Sequence, residues 1–302
     1  MNKPVLICFL LLCTVLQAQD VDSIMAEISE TKDYKVQATF KSPKLVLLQT
    51  NETQKKNDLA FWIGHRFGDI GGEFGGSNTL YGLDVATDLY LGFDYGITDA
   101  LTVGIGRSKF NEAYSGLLKY RLLWQEEDGM PVSVTLFAQS SWITRKPFSN
   151  DEFPEEGDRI SHFFQAIIAK KFSPGISLML SPGYLIRPEA QVRDVDDAEN
   201  LFALGVGGRI KIFKRISLIA DYTLVNGFSR PEDLQTDYYN PFGVGLEIET
   251  GGHVFALNFQ NSQAITANNF ISGTTKSWSD GGVRFGFMIS RNFNLGPKTR
   301  LN

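Results

Sequence analysis

The sequence predicts an all-β fold, an antiparallel up-and-down transmembrane barrel of about 12 strands with short periplasmic turns and long extracellular loops. Three observations carry that expectation. From Asp58 onward the apolar residues recur with a period of two, not the roughly 3.6 of a helix. The connections between apolar segments alternate between short and long, and charged residues gather on the parity opposite to the apolar one.

The elements follow in chain order. Met1 to Ala18 has Lys3 at its start, an apolar run from Pro4 to Leu16, and small Ala18 before Gln19, the pattern of a secretory signal peptide over residues 1–18. Cys8 and Cys13, the chain's 2 cysteines, fall inside it, so the exported part is expected to have no thiol, disulfide or cysteine-bound metal. Residues 19–57 read as a periplasmic arm or a partial plug. Within them 20–34 suits a short amphipathic helix through Ile24 and Ile28, and 35–49 holds strand-like pieces broken by Pro43. Twelve strand segments follow at roughly 58–67, 89–96, 100–108, 116–125, 132–142, 161–172, 175–187, 200–212, 215–225, 241–250, 252–260 and 282–291. Several have the nine to eleven residues that a tilted strand needs to cross hydrocarbon. The barrel thus occupies 58–293, with 294–302 as a carboxy-terminal tail.

An even number of strands puts both chain ends on the side of the short turns, and the long polar loops on the other. Leu89, Leu91, Phe93 and Tyr95 alternate with Tyr90, Gly92, Asp94 and Gly96; Phe242, Val244, Leu246 and Ile248 alternate with Gly243, Gly245, Glu247 and Glu249. Segment 161–172 fits worst, because His162, Phe164, Ala166 and Ile168 compete with Phe163, Ile167 and Ala169 for the outer face. Trp62, Trp124, Trp142 and Tyr184 stand towards strand ends, where aromatic girdles belong.

Composition excludes several classes of function. The 29 basic and 34 acidic residues give a net charge of −5 with no dense basic block, so nucleic acid is a poor partner. The 3 histidines are scattered, and no metal site or cofactor is expected. The expected surroundings are outer-membrane lipid and lipopolysaccharide.

Charges facing lipid would be costly, whereas in a lumen they pair or meet water. The candidate lumen-lining residues are Arg66, Asp94, Lys119, Arg121, Arg209, Lys211, Asp221, Glu247, Glu249 and Arg284. His65, Arg66 and Asp69 form a second candidate, a polar cluster at the end of the first strand; its plainer reading is an interfacial histidine and a turn-capping aspartate. Gly71 to Gly76 reads as an extracellular loop, since no lysine-serine or lysine-threonine follows to make a phosphate cradle. Ser161 and His162 point to opposite faces of a strand and cannot form a dyad; a membrane-embedded lipid hydrolase would need a serine such as Ser133, Ser141, Ser177 or Ser217 to meet a histidine across strands. No catalytic residue is assigned.

The signal peptide, Phe40, Leu45 to Leu48, the run from Asp58 to Ile70 with its His-Arg-Phe-Gly-Asp segment, and the run from Gly92 to Asp99 together resemble a Bacteroidota family of outer-membrane β-barrel proteins of uncharacterised function. The resemblance spans nearly the whole exported chain and implies fold and location but no activity. Unlike the usual outer-membrane pattern, the last strand does not finish the chain on an aromatic; Asn294 to Asn302 follow Phe293. The functional expectation is a narrow channel for passive passage or binding of small solutes. Its rivals are a closed structural or interaction barrel acting through its loops or arm, and the lipid hydrolase.

Overall fold

The computed structural model describes residues 35–192, 197–229 and 237–296; the signal peptide, the helix expected at 20–34 and most of the tail lie outside them. Twelve strands form one closed antiparallel barrel in which each strand pairs with its chain neighbours and β1 closes on β12. They are β1 (Asp58–Asp69), β2 (Ala86–Gly96), β3 (Leu101–Ser108), β4 (Tyr114–Leu123), β5 (Ser133–Trp142), β6 (Ile160–Ser173), β7 (Ile176–Ile186), β8 (Asn200–Phe213), β9 (Ile216–Asn226), β10 (Phe242–Glu249), β11 (His253–Gln260) and β12 (Arg284–Asn294). One short helix, α1 (Ala267–Gly273), interrupts the connection from β11 to β12.

The alternation of the sequence becomes two faces. Leu91, Phe93, Leu118, Leu136, Leu178 and Leu224 are exposed on the outside, an apolar surface that water would not tolerate around a monomeric soluble protein. The opposite parity is buried inside. In β6 the ambiguity resolves with Phe164 and Ile168 exposed and Phe163, Gln165 and Ile167 buried. The sequence pattern blurs there because the barrel interior is itself partly apolar.

Its contents explain this. Residues 39–54 run inside the barrel from the short-turn end, and Phe40, Leu45, Val46, Leu47 and Leu48 form one hydrophobic cluster with inward Phe137, Phe163, Ile167, Leu185 and Leu201. From the opposite end the long β11–β12 connection folds inward, placing Ala264, Ile265, Ala267, Phe270 and Ile271 in the same cluster. Trp62, expected in a girdle, is instead buried and stacks on Tyr90 at 4.2 Å. It shares the parity of Arg66, two pleats away, and so faces inward. Trp142 and Tyr184 are on the outer surface, and Trp124, just past the end of β4, lies under the Arg121 guanidinium at 4.2 Å.

Candidate functional site in the barrel interior

The inner segment is irregular, so its backbone groups lack a sheet ladder and must find other partners once buried. A tight turn supplies two, Leu45 N–H donating to the Leu48 carbonyl at 2.9 Å and Thr50 N–H to the Pro43 carbonyl at 2.9 Å. The wall charges supply most of the rest. Asp221, on β9, uses a single carboxylate oxygen to accept the successive amides of Val46, Leu47 and Leu48 at 2.9, 2.8 and 3.0 Å. Three consecutive N–H groups pointing to one spot make an anion nest, here filled by the protein's own carboxylate.

The cations bind the carbonyls. Lys119, on β4, donates to the carbonyls of Pro43, Thr50 and Glu52 at 2.9, 3.1 and 3.3 Å. Arg121, one pleat away on the same face, donates to the Asn51 carbonyl at 2.7 Å and to the Glu52 carboxylate at 3.2 Å. Arg66, on β1, donates to the Val46 carbonyl at 2.8 Å and to Asn258 Oδ1 at 3.1 Å. Hydroxyls complete the set: Thr135 donates to the Asn51 carbonyl at 3.0 Å, Ser177 to the Thr39 carbonyl at 2.6 Å, and Thr102 accepts from Gln54 N–H at 2.8 Å.

Small wall residues let the segment approach. A Cβ on Gly205 would fall 2.7 Å from Leu48, and one on Gly207 would fall 2.6 Å from Leu45, both inside van der Waals contact.

The remaining candidates pair among themselves. Arg209 donates to Glu247 and to Glu249 at 2.6 Å each, and Lys41 of the inner segment stands 3.5 Å from Glu249. Arg284 pairs with Asp69 at 2.6 Å and donates to the Asn261 carbonyl at 2.8 Å. Asp94 is buried on the β2 wall. Lys211 is a correction: it has the inward parity of Arg209 but is exposed, because β8 continues past the barrel rim to Phe213.

The strand-end trio is a second correction, since the fold separates it. His65 faces outward and stacks on Phe287 at 5.4 Å, whereas Arg66 and Asp69 both face inward to different partners. A register irregularity between Arg66 and Asp69 shifts the pleat, so residues three apart share a face. The serines considered for a dyad, Ser133, Ser141, Ser177 and Ser217, are all buried inside. His162 instead meets Ser140 across strands on the outer face, with Oγ and Nδ1 2.8 Å apart.

Two residues of the site escaped sequence reading. Asp88 at the start of β2 is fully buried and accepts from Ser108 Oγ at 2.7 Å, Phe110 N–H at 3.0 Å and Ile265 N–H at 2.9 Å, which fixes the long connection inside the mouth. Lys44 sits where the two ingrowing segments meet and donates to the Ile265 carbonyl, with Trp62 and Phe270 rings each 5.9 Å from its ammonium. Their signal in the sequence is charge placed beside apolar residues outside the strands. Towards the short turns a cavity of about 500 Å³ remains between the inner segment and β10–β12, lined by Lys41, Glu52, Asp58, Glu249, His253 and Asn292 among others.

Residues 40–293 match the model of a family described as membrane bound beta barrel domain (DUF5777). The chain belongs to this family. The matched span opens at Phe40, so the family's domain takes in the inner segment together with the barrel. The family and the apolar outer surface together make the protein an outer-membrane barrel surrounded by lipid. No curated protein matches the chain. Among solved structures, an outer membrane channel from Pseudomonas putida F1 is 13% identical with a TM-score of 0.48, covering 80% of this chain and 98% of that one. The NanC porin is 9% identical with a TM-score of 0.46, covering 78% and 100%. The KdgM porin is 7% identical with a TM-score of 0.44, covering 78% and 99%. These are likenesses of barrel architecture.

Proposed function

We propose that the protein is a plugged channel for small hydrophilic solutes, in which residues 39–54 form the plug. The reading takes 1–18 as an export signal, 19–57 as a periplasmic arm whose end is the plug, 58–293 as the barrel and 294–302 as a tail. It rests on one observation. Asp221, Lys119, Arg121 and Arg66 each bind the main chain of the inner segment, and none of them pairs with another charge of the wall among the described residues. Each of these contacts can be replaced by water, so withdrawal of the segment would leave a charged, hydroxyl-lined wall suited to an aqueous passage.

A closed structural barrel is the second reading, favoured by the apolar packing of Phe40 and Leu45 to Leu48 against Phe163, Ile167, Leu185 and Leu201. That packing resists withdrawal as a core does. Planar-bilayer conductance separates the two. The full chain is expected to be silent or to open in brief events. A variant lacking residues 35–54 should conduct steadily, and Lys119→Met should lengthen the open time. A folded, inserted deletion variant that passes no current would overturn the channel reading and leave the structural one.

A further inference from the structure

The outer face of β3 to β7 carries a polar pair in an apolar furrow. Ser140 and His162 are cross-strand partners, and the same row continues on one side through Gly116 to Ile105 and on the other to Ile186. Ser140 Oγ and His162 Nδ1 lie 2.8 Å apart, each the other's partner on a surface that otherwise faces lipid. Gly116 leaves a gap beside Ser140, and a Cβ built there meets nothing within 4 Å. The gap belongs to a groove of about 570 Å³. A second groove of about 820 Å³ lies further towards the short turns, where the outward residues Ala138, Ala166 and Pro182 are small. The row above the pair, nearest the long loops, holds Arg107, Tyr114 and Trp142 in register, with the Arg107 guanidinium 5.4 Å from the Tyr114 ring. Arg107 is half-exposed, and among the described residues its ionic neighbour is Glu112, 3.9 Å away at the rim, a weak pair in water.

From the loops inward the face therefore offers a cation with aromatic rings, then a hydroxyl–imidazole pair, then an apolar trough. Ordinary annular lipid needs none of this order. A phosphorylated, multiply acylated lipid of the outer leaflet presents the matching order: phosphate, polar linkages, hydrocarbon. We propose that this furrow is a specific site for one such lipid, with its phosphate at Arg107, its ester or amide linkage at Ser140 and His162, and one acyl chain along the trough opened by Gly116. The pair binds and does no acyl chemistry. Backbone amides on this surface are committed to the barrel's strand ladders and form no oxyanion hole beside the pair.

The test is native mass spectrometry of the full chain released from micelles doped with diphosphorylated lipid A, with phosphatidylcholine as the competing probe. One retained lipid A is expected on the unaltered protein. Gly116→Leu fills open space without touching the fold and should weaken retention at least tenfold; Arg107→Gln should weaken it about as much. Heat-modifiability on gels confirms that both variants are folded. Equal retention by Gly116→Leu would overturn the proposal, as would equal retention of phosphatidylcholine, a second copy of the chain bound in place of lipid, or release of free fatty acid from the bound lipid.

Discussion

The two segments that fill the barrel are held in different ways. The plug entering from the short-turn end is anchored through its main chain, by wall side chains that bind its amides and carbonyls. The connection entering from the loop end has Phe270 and Ile271 of α1 buried and Ile265 beside them, with polar ties that include Asp88 to Ile265 N–H, Asn268 to Ser161 and Arg284 to the Asn261 carbonyl. Both bury apolar side chains in one cluster, and what sets the first apart is that wall charges also bind its main chain. Hydrogen bonds exchange with water at modest net cost, whereas apolar surface loses its stabilisation outright on exposure. Under the proposed function the plug is the part that moves and the loop-side fill the part that stays, with Lys44 bound to the Ile265 carbonyl at their junction.

Breaking the charged anchor should give the largest effect. Asp221→Ala leaves three buried amides without an acceptor, which by the usual range for hydrogen bonds to a charged group costs the plugged state roughly 5 kcal/mol or more. Bilayer recordings should then show frequent openings, and limited proteolysis should cut within 39–54 while the barrel stays intact. An Asp221→Ala protein as silent and as resistant as the parent would show that apolar packing alone retains the plug.

The loop-side fill should respond differently. Phe270→Ala removes a fully buried ring and is expected to cost roughly 3 kcal/mol locally. Proteolysis should then appear in 261–283 with the plug still protected, since Asp221, Lys119 and Arg121 do not touch α1. Simultaneous loosening of both segments would mean that the Lys44 contact couples them.

Legibility in the sequence divides along the same line. The 12 strands stand within a few residues of where period-two patterning puts them, because a lipid-facing parity is a strong and repeated constraint. The wall charges were legible for the same reason. Their partners were not: a carbonyl or amide of residues 43–52 has no side-chain signature, so Asp221 and Lys119 read as pore lining when their contacts are with main chain. Gly205 and Gly207 read only as the small parity, although what they face is Leu48 and Leu45. Trp62 read as a girdle residue from its place near a strand end, although it shares the inward parity of Arg66, and Asp69 faces inward with Arg66 through a bulge that alternation cannot show.

The smallest expected effect lies outside the membrane and probes the loops without touching either anchor. Arg145 forms a two-point pair with Glu152 in the β5–β6 loop and lies over the Phe148 ring at 3.9 Å; Glu152 also accepts from Phe148 N–H at 2.5 Å. The hydrogen bonds from Arg145, and after them the Phe148 amide, hold the Glu152 carboxyl below its ordinary value of 4.5. A depressed acid stabilises the folded loop above its unfolded pKa and loses that contribution as pH falls through the folded one. The loop should therefore be protected from proteolysis at neutral pH and become more readily cut as pH falls below the ordinary carboxyl value of 4.5. Glu152→Gln should be cut at the same rate across that window, and conductance should not change, because the plug anchors Asp221, Lys119 and Arg66 lie on the strands and not in this loop. A change in gating over the same pH range would tie the outer loops to the plug and erase the distinction between the two fills.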